Sequence, residues 1–399
     1  MMIDKIRRIT RDGRWIPEID GLRFIAIFSV VLFHLGGELA HRSGRVIPAE
    51  ARYDTLFRAI GNGDRGVLLF FVISGMILAM PFARHYLMQA KKVSLRKYYM
   101  RRVTRLEPPY MLSMVLFTAM LLVYGHGRLD PGYAGHALTS FFYLHNVVYG
   151  SMSPVNPVTW SLEVEIQFYL LAPLVMQIFR FEGRAVRRIG LGAAILAIGL
   201  AQAPVQHQPR IELSILYSLQ YFLAGLLLAD IFVLDLEAIR SSWLWDVAGV
   251  AALVFMYGMG HDVYAAHVLL PFAFCVLCLA AMRGVLLRMF VANPWVAVIG
   301  GMCYSIYLLH FALMAALFKV TRRLIVVRFD FLANYAIQLV VMGIPILLLS
   351  ALYYWLVERP CMDPDWPSKL WHWATGRSGD EMELLDAGGV SEGQEMLKK

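Results

Sequence analysis

Apolar residues in this chain fall in long continuous runs separated by short polar stretches. Ten such runs cover residues 19–37, 66–82, 108–124, 160–179, 189–205, 213–233, 243–260, 264–282, 294–318 and 333–357. At 1.5 Å per residue each approaches the length needed to cross a hydrocarbon core of about 30 Å. The pattern therefore predicts an all-α, polytopic integral membrane protein of about ten transmembrane helices. Continuous rather than alternating apolar character argues against a β-barrel. The fifth run is short and glycine-rich. Residues 137–150 are apolar but too short to span, which suggests an interfacial or re-entrant piece.

The first run, Ile19 to Gly37, carries three polar interruptions: Asp20, Arg23 and His34. Ionisable residues inside a spanning helix are costly and need a partner or a task. Arg23 and His34 are 11 residues apart, which places them within about 20° on one helix face and about 16 Å apart along it. One face thus pairs a fixed cation with a titratable imidazole. That arrangement suits anion binding at one end and proton transfer at the other.

Composition sharpens this picture. The chain of 399 residues is 59% hydrophobic and 17% charged, too apolar for a soluble globular domain. Its formal charge of +8 is read as positive residues flanking membrane helices, not as a nucleic-acid surface. Cys275, Cys278, Cys303 and Cys361 are read as ordinary buried cysteines, and no metal site is expected. The basic stretch Lys5 to Arg14 followed by a long apolar run reads as a retained signal anchor. From Arg84 to Arg105 the loop after the second run carries eight basic residues (Arg84, Lys91, Lys92, Arg96, Lys97, Arg101, Arg102 and Arg105) and no acid. It sets both termini on the cytoplasmic side. This divides the chain into a basic tail (1–18), a membrane domain (19–360) and a polar, largely disordered tail (361–399). One loop opposes the scheme. Lys319, Arg322, Arg323 and Arg328 would face outward, so either they meet an anionic partner or the span count fails nearby.

Four groups of residues carry candidate chemistry. In RRVTRLEPPY, Arg102 and Arg105 share a helix face and suit a phosphorylated ligand; lipid headgroups are the alternative. Glu165 lies at about the level of His34 and is expected to orient it as a general base, with Glu163 as a nearer competitor. The alternative is a histidine that snorkels or bonds a neighbouring helix. Ser74 and Gly75 suit close helix packing, or an acyl-accepting serine with no base at its depth. His310, with Tyr304 and Tyr307, either lines a polar cavity or packs.

Taken in order, Asp20-Gly21-Leu22-Arg23 with His34, FFVISGMI, RRVTRLEPPY, WSLEVEIQFYLLAP, CYSIYLLHF and Glu358-Arg359-Pro360 resemble the membrane-bound acyltransferase family 3. The resemblance implies that His34 is catalytic, as general base or transient acyl carrier, and that Glu165 is functionally important. It further implies that Arg23 belongs to the same motif and that Arg102 and Arg105 bind the acyl donor. That donor would be cytoplasmic acyl-CoA, acetyl-CoA first, with no permanently bound cofactor. The acceptor would be a carbohydrate, glycolipid or other hydroxylated compound beyond a bacterial inner membrane. Membrane lipids are expected partners; nucleic acid is not. Some members of this family carry a hydrolase-like domain after the last span. Residues 361–399 are too few for one, so the chain is expected to act alone or with a separate periplasmic acyl-accepting protein. A transporter of an anionic or glycosylated substrate is the competing function, weakened by the lack of an internal repeat. A non-enzymatic scaffold is a third.

Overall fold

In lipid only helices and closed barrels satisfy every backbone polar group, and continuous apolar runs choose helices. The computed structural model describes residues 7–8, 15–42, 54–124, 132–202, 208–261, 263–326, 331–363 and 365–375. Among the described residues there are helices and no strand. The molecule is organised by α1 (Pro17–Arg42), α2 (Arg65–Met88), α3 (Leu95–Tyr124), α4 (Trp160–Val175), α5 (Arg184–Ala201) and α6 (Ile215–Leu234). After these come α7 (Trp243–Gly258), α8 (Tyr264–Arg283), α9 (Pro294–Gly301), α10 (Cys303–Thr321) and α11 (Phe331–Tyr353). Eight helices among the described residues are long and apolar enough to cross a membrane. The other two expected spans are α5, which carries Arg184, Arg187 and Arg188 at its start, and α7, which is apolar but 16 residues long. The all-α polytopic architecture holds; eight of the ten expected spans are met among the described residues, and α5 and α7 do not qualify.

Three local departures have physical causes. The run 294–318 is not one span but breaks at Met302. Asn293 caps the backbone of Trp295 at 3.0 Å and Pro294 opens the short α9. Gly300 then lies so close to α1 that a Cβ would stand 1.7 Å from the Asp20 carbonyl oxygen, an approach only glycine permits. Second, α3 starts at Leu95, well before the apolar run, so RRVTRLEPPY is helical throughout despite Pro108 and Pro109. Third, residues 137–150 fall on short helices Tyr133–Phe141 and His145–Tyr149. Leu138, Phe142, Val147 and Val148 stay exposed there, as an interfacial segment requires.

The core centres on α2 and α6. Their backbones cross where Gly75 and Gly225 face each other's helices: a Cβ would lie 2.4 Å from Phe222 O and 2.3 Å from Val72 O. Phe71, Phe168 and Phe222 stack around this crossing. Gly75 therefore does what small residues between helices do. Asp230 on α6 accepts from Arg187 Nε, and from Arg188 Nε at 2.6 Å, tying the start of α5 to the end of α6. Cys275, Cys278 and Cys361 are free and buried.

Helix α1 packs on α2, α9, α10 and α11. Helix α10 runs parallel to it: Cys303 feels the charge of Arg23, while Met314 and Phe318 pack with Leu35 and Leu39. Helix α11 runs back. Tyr335 donates to Leu32 O at 2.8 Å, whereas Glu358, just past α11, accepts from Ser305 near the start of α10. The two ends of α1 thus meet different neighbours. An unexpected helix, Trp366–Thr375, follows, with Trp366 Nε1 donating to Thr104 O at 2.8 Å. The expected tail from Gly376, and Arg328, lie outside the described residues.

Candidate active site

At the first turn of α1 the buried carboxylate of Asp20 draws in three donors. Arg23 Nη1 lies at 2.6 Å, Trp15 Nε1 at 2.8 Å and Arg8 Nη1 at 3.4 Å. Part of the segment expected only as a tail therefore closes over Asp20. Arg23 also faces the charges of Arg105, Glu165 and Glu358. Glu358 accepts from Ser305 N at 3.1 Å and Ser305 Oγ at 2.6 Å.

Helix α3 brings Arg102 and Arg105 to the same cluster. Arg102 Nη1 donates to Tyr98 O at 2.6 Å, and its guanidinium lies 3.6 Å over the Tyr98 ring and 5.3 Å from that of Tyr169. Such stacking holds a planar cation in place. The Nε atoms of Arg102 and Arg105 are buried and make no hydrogen bond among the described residues. Buried donors without partners are uncommon in folded proteins and suit an absent acceptor such as phosphate.

Glu165 on α4 accepts from Tyr169 OH at 2.7 Å and from Ser74 Oγ. With Tyr143, Tyr169 and Tyr304 it lines a cavity of about 10 Å³, room for about one water. The serine at mid-α2 thus has a carboxylate at its depth, contrary to expectation.

The other end of α1 is arranged differently. The His34 ring packs against Phe33 at 5.0 Å, Phe311 at 5.1 Å and His310 at 5.2 Å between centroids. Among the described residues neither of its nitrogens is hydrogen-bonded. His310 is fully buried. Its Nδ1 donates to Ile306 O at 3.0 Å and Tyr307 O at 2.8 Å, and its Nε2 is buried with no partner among the described residues. Tyr307 in turn donates to Val158 O at 2.7 Å and pairs with Ser161 Oγ at 2.6 Å.

This geometry corrects the expected pairing of Glu165 with His34. Ser161, one turn before Glu165 on α4, hydrogen-bonds Tyr307 on α10, whereas the carboxylate of Glu165 accepts from Ser74 on α2 and from Tyr169. Glu163 is no substitute. Its Oε2 accepts from Asn146 N at 2.8 Å and secures the segment His145–Tyr149. Arg23, Arg102, Arg105 and Glu165 therefore form one charged cluster, and His34 stands apart with His310. Sequence reasoning did not assign the Tyr169 contact, although Tyr169 lies one helical turn after Glu165. It noticed His310 without connecting it to His34.

Polar and charged side chains enclosed by apolar, membrane-length helices mark a multi-pass membrane protein. The chain belongs to acyltransferase family 3, whose model, described as an acyltransferase domain, matches residues 16–355. That assignment accounts for the bundle better than a transporter or a scaffold. Among relatives, the chain is 24% identical over 328 residues to the O-acetyltransferase OatA of Staphylococcus aureus, covering 75% of this chain and 51% of that protein. It is 30% identical over 186 residues to the peptidoglycan O-acetyltransferase OatA of Listeria monocytogenes, covering 44% of this chain and 26% of the relative. A putative peptidoglycan O-acetyltransferase, YrhL of Bacillus subtilis, is 28% identical over 202 residues, covering 47% and 28%. The chain thus spans about half the length of the first of these and about a quarter of the others. No solved structure matches it.

Proposed function

We propose that this chain is an integral membrane O-acyltransferase. It moves a short acyl group, acetyl first, from cytoplasmic acyl-CoA to a carbohydrate hydroxyl at the outer side of a bacterial inner membrane, with both of its termini cytoplasmic. The observation that supports the reading is the pair of unlike sites at the two ends of α1: the unpaired guanidinium nitrogens that Arg102 and Arg105 bring from α3 to one end, and the imidazole of His34, without a hydrogen bond among the described residues, at the other. Arg102 and Arg105 hold the donor's phosphates by charge-assisted hydrogen bonds. Arg23, held by Asp20, keeps the cluster positive toward the donor. The names of the relatives point to a peptidoglycan-like glycan as the acceptor.

His34 acts as the general base. The acceptor hydroxyl gives its proton to the imidazole while its oxygen attacks the thioester carbonyl. A carbon–oxygen bond forms and the carbon–sulfur bond breaks. The imidazolium then returns the proton to the departing thiolate, leaving an ester and a free thiol. Glu165 serves at the arginine end, where it holds Ser74 and Tyr169 along the donor's path. The cavity there admits about one water, so the tyrosines beside it must shift as the donor's arm enters.

The decisive measurement is acyl transfer in membranes carrying His34→Ala. Loss of about 10²- to 10⁴-fold in kcat is expected for a missing general base. Full activity at normal protein level excludes the reading. Transfer by the purified chain in vesicles would show that no separate acyl-accepting protein is required.

A further inference from the structure

We propose that His310 is the positioning residue that holds His34 in its reactive tautomer, in the place expected of a carboxylate. This rests on the reading of His34 as the base.

The argument starts from proton bookkeeping on one ring. His310 Nδ1 faces two carbonyl oxygens of its own helix, Ile306 O at 3.0 Å and Tyr307 O at 2.8 Å. Both are acceptors only, so Nδ1 carries the hydrogen and Nε2 of the neutral ring carries a lone pair. Nε2 points away from α10, is fully buried and has no partner among the described residues. A buried acceptor left unpaired costs free energy, so such an atom calls for an explanation.

The His34 ring lies beside that of His310, 5.2 Å away between centroids and tilted by 47°. His34 is in turn confined by Phe33 and Phe311. A small rotation of His34, or one water between the rings, lets its N–H donate to His310 Nε2. The opposite nitrogen of His34 then bears the lone pair and is left for the acceptor hydroxyl. A neutral imidazole as acceptor suits this depth better than a carboxylate, because a buried charge needs pairing and a neutral ring does not. Tyr307, bonded to Val158 and Ser161, locks the turn of α10 that presents His310.

Two substitutions separate this role from mere packing. His310→Gln keeps an acceptor near the Nε2 position; His310→Asn keeps only the donor near Nδ1. The assay is acyl transfer from acetyl-CoA to a soluble glycan oligomer by the purified full chain in vesicles, per folded protein, with His34→Ala alongside. His310→Asn should lose about 10- to 100-fold in kcat with little change in KM for acetyl-CoA, the range found for partners that orient an imidazole. His310→Gln should keep more than about a tenth of the parent kcat. Should the Asn variant fail to accumulate, His310→Phe takes its place with the same expected loss. Equal losses in both variants, equal retention in both, or retention only in the variant lacking the acceptor each overturn the proposal. His34→Ala decides the underlying reading separately. An inactive His34→Ala beside an active His310→Asn leaves the base in place and removes its partner; an active His34→Ala removes both.

Discussion

The two ends of α1 differ in what their polar groups are: one is built around a buried ion pair, the other around neutral rings. At the first turn of α1 Asp20 gathers Arg23, Trp15 and Arg8 around one carboxylate. Some 16 Å along the same helix face, His34 packs against the rings of Phe33, Phe311 and His310, and His310 Nε2 has no partner among the described residues. Formal charges inside a bilayer must be matched or they exclude themselves. Neutral imidazoles carry no such obligation and can be left with a free lone pair. The contrast separates scaffolding from chemistry: paired charges hold the helices in register, and unpaired nitrogens remain available to react.

The largest expected effects test that separation directly. His34→Ala should abolish most activity while leaving the melting temperature in detergent nearly unchanged, because the ring makes no hydrogen bond among the described residues that the fold would miss. Asp20→Asn should do the reverse in kind. It leaves Arg23 buried beside a neutral amide, a loss of about 3 to 5 kcal/mol for one partner removed from a buried pair. The side chains of Asp20 and Arg23 are 4% and 13% exposed, so water screens them little. Fluorescence-detected melting should therefore fall by several degrees, with activity falling in step with folded protein. A stable, fully expressed Asp20→Asn would show that the first turn of α1 is not a structural anchor.

A smaller effect is expected at Arg105. Its buried Nε has no partner among the described residues, so Arg105→Ala removes a donor-binding group, while Glu358 and Asp20, which also face its charge, keep Ser305 and Arg23 as partners. A charge-assisted hydrogen bond is worth about 1.5 to 3 kcal/mol, which corresponds to a rise of about 10- to 150-fold in KM for acetyl-CoA. KM for the acceptor should not change. Equal rises in both constants would assign Arg105 to general packing instead.

Helix positions were legible because hydropathy reports depth in a membrane, and depth was enough to stack Arg23 and His34 on one face. The face of Arg102 and Arg105 was legible for the same reason, since three residues apart is a local relation. The partner of Glu165 was not. Its level on α4 suggested His34, but which way its carboxylate points depends on how α4 rotates against α2. That rotation is set by the Gly75–Gly225 crossing and the rings of Phe168 and Phe222, which are relations between distant segments. The break at Met302 was hidden too, because apolarity runs unbroken across it; the constraint there is the backbone of α1 pressed on Gly300. His310 could be placed relative to Tyr307 from spacing alone, but its meeting with His34 required the parallel course of α1 and α10.

The smallest effect expected comes from a charge pair that meets water. On the turn between α7 and α8, His261 Nε2 lies 3.3 Å from Asp64 Oδ1, with side chains 56% and 42% exposed. The Asp64 carboxylate, accepting from the ring N–H, holds the imidazole's pKa above its usual value of 6.5. A folded-state pKa raised in this way adds stability below the unfolded value and loses it as pH rises through the folded one. Asp64→Asn should thus lower the melting temperature at about pH 5.5 and leave it unaltered at about pH 9, where the ring is neutral in either protein. Exposure and salt keep the shift to about a degree or less, against several for Asp20→Asn. An equal loss at both pH values would mean that Asp64 supports the turn without charge. A shift at pH 5.5 as large as that of Asp20→Asn would break the contrast between buried and exposed pairs on which the comparison of the two ends of α1 depends.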